Sequence, residues 1–178
     1  MRSNQQAYFQ LHIAVFLFGF TAILGELISL TETVLVWYRM GLTSASLLLF
    51  PGLIKKVLSI PRKEALSLMG IGVFVSLHWV TFFGAIKASN VSVALSCFAT
   101  TALFTSILEP LILRKPFQKI EMLLGIFVIA GIYIIFHFSQ LYVLGIGLGL
   151  VSALLATIFS ILNKRMLESV EAYPMTLI

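Results

Sequence analysis

Ionisable and hydroxyl side chains interrupt the long apolar runs of this sequence at a few positions, where they could do chemistry. Arg39 is followed by Thr43 and Ser46, so the three residues share one face of a helix. That face could line a polar cavity and hold an anionic group of a solute by charge-assisted hydrogen bonds. Alternatively, the long Arg39 side chain reaches polar surroundings at the helix end, or pairs with Glu26 or Glu32.

Three further residues combine a polar group with an apolar setting. Glu26 could take part in proton coupling as an intramembrane carboxylate, or could be a solvated helix end. His78 could bridge two helices by hydrogen bonds. It could equally carry a proton or contact a solute, because imidazole titrates near physiological pH. Trp79 follows directly and could supply a stacking wall.

A polar stripe runs through a later apolar segment at a spacing of four residues. It consists of Cys97, Thr101, Thr105 and Glu109. The stripe could be one wall of a translocation path, or its hydroxyls could bond back to carbonyls of their own helix. Cys97 has no partner at metal-ligand spacing and is expected to be a small packing residue.

Small residues mark one face of another apolar segment, beginning with Gly145 and Gly149. Their GxxxG spacing permits close helix–helix approach, within the chain or in a homodimer. The sequence contains no nucleophile or metalloprotease signature, and no Asp for an aspartyl dyad. We accordingly expect no enzymatic activity, no catalytic residue, no bound metal and no cofactor.

The composition indicates which elements carry these residues. The chain has 178 residues, of which 60% are hydrophobic and 11% are charged, with no Asp at all. A soluble domain has about 25% charged residues. The net charge of +5 could suggest nucleic acid, but cytoplasmic loops of a membrane protein require the same excess. We expect a lipid bilayer and no nucleic acid as partners.

Six stretches reach the roughly 17–25 mostly apolar residues that a membrane-spanning helix needs. They cover residues 11–29, 33–54, 65–87, 89–113, 121–138 and 143–163. The stretches are too long for barrel strands and lack strict alternation. The predicted fold class is all-α: a polytopic transmembrane helix bundle of six spans, in an inner (plasma) membrane.

Basic residues predict the orientation of this bundle. If the N-terminus is inside, 10 of the 12 basic residues fall on inner segments, around residues 2, 55–63, 114–119 and 164–165. The positive-inside rule then places the N-terminus and the end of the sixth span in the cytoplasm.

The end of the sequence turns apolar again, in YPMTLI at 173–178. Proline is favoured in the first turn of a helix. We expect a seventh span to start here and the chain to be a fragment of a longer protein.

Three motifs resemble the EamA-like permeases of the drug/metabolite transporter superfamily. They are WYRM at 37–40, HWVTFFGAIKASNVSVA at 78–94 and GIFVIAGI at 125–132. The resemblance implies ten helices in two inverted five-helix repeats, with a solute cavity near the midplane. Residues 11–138 would form the first repeat, and residues 143–178 the truncated start of the second. Where the family often has proline in its fourth helix, this sequence has Thr100 and Thr101.

The residues and the resemblance together predict a secondary transporter. It would move a small metabolite or drug-like solute across the membrane by alternating access. The predicted solute-binding residues are Arg39, His78, Trp79, Thr101 and Thr105, and Glu26 is predicted to serve coupling. The alternative is a non-transporting helical membrane protein, such as a sensor subunit or a scaffold.

Overall fold

The computed structural model describes residues 2–50, 52–137 and 142–167, which form helices joined by short turns. Eight helices follow one another in this part of the chain. They are α1 (Arg2–Leu27), α2 (Glu32–Leu48), α3 (Leu53–Leu58), α4 (Arg62–Ala88), α5 (Val91–Phe98), α6 (Thr101–Leu113), α7 (Lys119–His137) and α8 (Val143–Met166). The all-α class is therefore confirmed.

Within the described residues, four segments are long and apolar enough to cross a membrane: Gln5–Leu27, Arg62–Ala88, Val91–Leu113 and Val143–Met166. They correspond to the first, third, fourth and sixth predicted spans. The second and fifth predicted spans contain α2, of 17 residues, and α7, of 19 residues. Phe138 of the fifth span and residues 168–178 lie outside the described residues. A helical membrane bundle is thus established, while six spans remain a prediction.

The second span ends earlier than the sequence predicts. A continuous helix over residues 33–54 was expected, but α2 ends at Leu48 and the short α3 begins at Leu53. Gly52, between them, has a φ of +82°, in the left-handed region. Glycine adopts the left-handed conformation readily. A residue in that conformation cannot continue a right-handed helix, so α2 and α3 are separate.

The fourth span is interrupted, although the sequence predicts one helix over residues 89–113. Asn90 caps α5 by accepting a 2.9 Å hydrogen bond from the Val93 amide. The amides of Thr100 and Ala102 donate to carbonyls three residues back, and the Thr100 hydroxyl donates to the Cys97 carbonyl at 2.6 Å. These bonds tighten the chain between α5 and α6 without a proline or glycine.

The antiparallel packing of α4 against α8 is the most extensive helix contact of the described residues. Near one end, a Cβ on Gly145 would stand 2.5 Å from Ser89 Cβ, and one on Gly149 would stand 2.7 Å from Cys97 Cβ. At the other end, Leu68 packs with residues of the last turns of α8. The two glycines thus allow close approach, as their spacing predicts. Because that face is occupied within the chain, a homodimer would have to use other residues.

Helices α1 and α7 leave most of their apolar side chains exposed. Gly25 of α1 packs against the Phe83 ring, which leaves no room for an added Cβ, and most of α1 is exposed. Gly125 of α7 packs on Leu103 of α6. Their exposed apolar side chains suit contact with lipid, where no water has to be ordered around them.

The division between residues 11–138 and 143–178 stays a prediction. Helix α8, assigned to the second repeat, contacts α4, α5 and α6. Lys164, near the end of α8, lies beside Glu109 near the end of α6. The basic ends of both helices therefore lie at one end of the bundle. The inverted repeats and the N-in/C-in orientation stay predictions.

Candidate functional site

A cavity of about 670 Å³ lies between α1, α4, α5, α6 and α8. Small-molecule sites usually occupy about 300–1,000 Å³. Its lining is mostly apolar, with a few polar groups: Val15, Phe18, Gly19, Thr21, His78, Trp79, Phe82, Leu95, Phe98, Thr101, Thr105, Ala156, Thr157, Phe159 and Ser160. Four of the five predicted binding residues thus meet in one cavity, and Arg39 does not line it.

Aromatic rings surround His78 within this cavity. Its ring centroid lies 5.0 Å from that of Trp79, 5.4 Å from that of Phe98 and 5.5 Å from that of Phe159. Phe82, one turn beyond His78 on α4, stands 6.0 Å away and meets Phe98 edge to face. Tilted and edge-to-face arrangements at these separations are the favoured ones for aromatic pairs.

Hydrogen bonds to α8 hold the His78 ring in place. The Nδ1 atom lies 3.0 Å from the Ser152 carbonyl oxygen and 2.9 Å from its hydroxyl oxygen. The Ser152 hydroxyl lies 3.2 Å from the His78 carbonyl oxygen, to which it can donate. A carbonyl can only accept, so the first contact assigns a hydrogen to Nδ1. The helix-bridging role predicted for His78 is thus present.

The other ring nitrogen of His78 is left for the cavity. Although the residue is only 3% exposed, Nε2 makes no hydrogen bond to any residue that the structure describes. Every fully buried polar side-chain atom of that part of the chain has a partner, so Nε2 must reach open space. With the hydrogen on Nδ1, the neutral ring presents Nε2 as an acceptor.

The threonines of the cavity fall into two groups. Thr157 donates its hydroxyl to the Ala153 carbonyl at 2.9 Å, within its own helix. Thr101 and Thr105 are half-buried, and their hydroxyls bond to nothing among the described residues. Of the two roles predicted for this stripe, back-bonding is absent at Thr101 and Thr105. Both hydroxyls are available to a ligand as donors and acceptors.

Arg39 lies behind the cavity wall. Its guanidinium carbon stands 3.8 Å from the centroid of the Trp79 ring, a cation–π contact between α2 and α4. No ion pair joins it to Glu26 or Glu32 in the described residues. Thr43 and Ser46, which were expected to share a polar face with Arg39, both donate their hydroxyls back to their own helix, and both residues are exposed.

The remaining predicted residues lie away from the cavity. Glu26 is exposed near the end of α1 and is not among the lining residues. Cys97 is buried against Gly149, as expected for a packing residue. Glu109 accepts a 2.6 Å hydrogen bond from Lys164 and lies 3.6 Å from Lys115. Its carboxylate thus joins α6 to α8 below the cavity.

Sequence reasoning missed part of the lining. Phe82 follows His78 by four residues, so its place on the same helix face was accessible from spacing alone. Ser160 follows Gly149 by eleven residues, or three helical turns, so it lies on the same face of α8 as the glycines that were expected to serve helix packing. Phe98 and Phe159 carry no local signal, because only the packing of α5 and α8 on α4 brings them to the cavity.

Metal binding finds no support in the described residues. They bring together no group of three or more His, Cys, Asp or Glu side chains that could hold a metal ion.

Comparison with known proteins gives one match. No curated protein and no solved structure was found to match the chain. Residues 5–137, three quarters of the sequence, match the model of the EamA-like transporter family. Together with the apolar helices, this match makes the chain an integral multi-pass membrane protein. The chain belongs to the EamA-like transporter family.

Proposed function

We propose that the protein is a secondary transporter that moves a small metabolite or drug-like solute across an inner (plasma) membrane by alternating access. The 670 Å³ cavity would be its solute site. The observation that carries this proposal is the set of unpaired polar atoms inside apolar spans: Nε2 of His78 and the hydroxyls of Thr101 and Thr105.

Unpaired polar groups at membrane depth are expensive. Burying an amide or hydroxyl group without a hydrogen bond costs about 1–3 kcal/mol of free energy in proteins. In the bilayer core, water is too scarce to supply the missing hydrogen bond. A bundle built only for structure would bond these hydroxyls back to the helix, as Thr157 does. A solute that enters and leaves the cavity would form hydrogen bonds with these unpaired groups while it is bound.

The predicted residues then divide by role. His78, Trp79, Thr101 and Thr105 would contact the solute, because they line the cavity. Arg39 would act through Trp79, whose ring it covers, as a positioning residue. Glu26 stays a proposal for coupling, to be tested apart from the cavity.

Cysteine accessibility tests alternating access without knowledge of the solute. We would place Thr105→Cys on a Cys97→Ala background, which removes the single native cysteine. A membrane-impermeant maleimide is then added to right-side-out and to inside-out vesicles. Alternating access predicts labelling of position 105 from both faces.

The matched control is Ser59→Cys, which lies on the exposed turn between α3 and α4 and should be labelled from one face only. Labelling of position 105 from neither face, or from the same single face in every preparation, would overturn the proposal. That result would favour a static helical scaffold or sensor subunit.

A further inference from the structure

The cavity offers few polar atoms and many aromatic carbons. Trp79, Phe82, Phe98 and Phe159 surround His78, and Phe18 adds a ring from α1. A sugar or a peptide would need many more hydrogen-bond partners than these walls supply. Flat rings pack well against such surfaces by offset or edge-to-face contacts. The lining therefore fits a planar body.

Charge is the second constraint. None of the lining residues is a carboxylate, lysine or arginine. The imidazole of His78 contacts neutral partners only, and a buried charge without a counter-ion is strongly disfavoured. The Arg39 guanidinium lies against the Trp79 ring, which lines the cavity, and would repel a second positive charge there. A carboxylate inside the cavity would find aromatic rings and hydroxyls but no lining cation.

The hydrogen-bond polarity is the third constraint. Because Nδ1 of His78 carries the hydrogen that bonds to Ser152, Nε2 can only accept. A ligand must bring a donor to it. The hydroxyls of Thr101 and Thr105 are free to donate, so they can serve an acceptor on the same ligand.

We propose that the cavity takes an uncharged, planar heteroaromatic solute. Its N–H group donates to Nε2 of His78, and its carbonyl or ring nitrogen accepts from Thr101 or Thr105. The inference rests on the proposed function, of which it names the solute class.

A panel of quinoline probes of nearly equal size separates these constraints. 2-Quinolone is neutral and carries a lactam N–H and a carbonyl. 1-Methyl-2-quinolone lacks the donor, quinoline-2-carboxylate is an anion, and 1-methylquinolinium is a cation. Binding of each is measured by equilibrium dialysis against the chain in lipid nanodiscs, with empty nanodiscs subtracted.

We expect 2-quinolone to bind and 1-methyl-2-quinolone to bind about tenfold more weakly, because a buried acceptor is left without its partner. Both charged probes also lack the N–H donor, so the test of charge compares them with 1-methyl-2-quinolone, and they should bind at least about tenfold more weakly than it does. Absence of 2-quinolone binding, or equal binding of its methylated form, would overturn the proposal.

Variants assign the binding to this cavity. Thr101→Val and Thr105→Val remove hydroxyls that support no structure, and together they should weaken 2-quinolone binding about tenfold or more. Thr81→Val is the matched control, since it is the same change at a half-buried hydroxyl that is bonded to the Leu77 carbonyl and does not line the cavity. It should leave binding within about twofold. Equal losses from Thr81→Val and the double variant would contradict the assignment.

Two outcomes separate this inference from the proposed function. Preferred binding of quinoline-2-carboxylate that is lost in Arg39→Gln would overturn the uncharged class, while a transporter would stand. Binding of 2-quinolone that follows the predicted order, with no flux of radiolabelled 2-quinolone into proteoliposomes, would support the site and count against the transport function.

Discussion

The Nδ1 atom of His78 lies 3.0 Å from the carbonyl oxygen of Ser152, and the Ser152 hydroxyl lies 3.2 Å from the carbonyl oxygen of His78. This reciprocal pair joins α4 to α8 at the level of the cavity. Because Nδ1 is bonded to Ser152, Nε2 is the ring nitrogen that remains available to a ligand. The histidine is therefore a bridge between helices and a wall of the cavity at once.

Removal of the Ser152 hydroxyl should weaken this bridge without breaking it. Ser152→Ala keeps the backbone carbonyl that accepts from Nδ1, so we expect a loss of about 0.6–1.7 kcal/mol in the free energy of unfolding. Thermal and denaturant unfolding in detergent micelles measure it. Ser67→Ala is the control, since the Ser67 hydroxyl donates to the Lys63 carbonyl of its own helix. Equal effects of the two changes would contradict an interhelical role.

Two glycines of α8 should respond oppositely to alanine. Gly149→Ala places a Cβ 2.7 Å from Cys97 Cβ, so α8 must move from α5, with a loss of about 1–3 kcal/mol. Gly147→Ala meets nothing within 4 Å and should be neutral or stabilising by up to about 1 kcal/mol. Unfolding of the two variants under the same conditions provides the comparison. A destabilised Gly147→Ala would show that helix packing is not the cause.

The cation–π contact of Arg39 should be visible in tryptophan fluorescence. Trp37→Phe leaves Trp79 as the sole tryptophan of the chain. On that background, Arg39→Gln should shift the Trp79 emission and destabilise the fold by about 0.5–2 kcal/mol. Lys87→Gln, an exposed basic residue at the end of α4, is the control. An unchanged emission spectrum in Arg39→Gln would show that Arg39 does not contact the Trp79 ring.

The two lysines beside Glu109 should contribute unequally. Lys164 lies 2.6 Å from its carboxylate and Lys115 lies 3.6 Å away, and both lysines are more than half exposed. Double-mutant cycles of Glu109→Gln with Lys164→Met and with Lys115→Met measure each coupling energy. We expect about 0.2–1 kcal/mol for each, larger for Lys164 and reduced by salt. A larger coupling to Lys115 would contradict the observed geometry.

The sequence predicts much of this fold because apolar runs of membrane length have few alternatives. It also predicts His78, Thr101 and Thr105 as cavity residues, from polar groups placed at helical spacing. The break at Ala99 and Thr100 escaped prediction, because no proline or glycine marks it. A hydroxyl bond and backbone bonds over three residues make that break, and both depend on the folded chain.

Contacts between residues far apart in the sequence also could not be predicted from the sequence. Arg39 was expected to hold a solute directly, yet its guanidinium covers Trp79, forty positions further along the chain. That contact depends on how α2 packs on α4, which no local pattern specifies. The same holds for Phe98 and Phe159, whose place in the lining follows from the packing of α5 and α8.

The partner of His78 also has a consequence for the order of biosynthesis. Ser152 lies 74 residues after His78. At a synthesis rate of about 5–20 residues per second, roughly 4–15 s pass between the two. During that time α4 enters the membrane with an imidazole whose native partner has not been made. Until α8 is inserted, the His78 imidazole must form its hydrogen bond with a chaperone, the translocon wall or water.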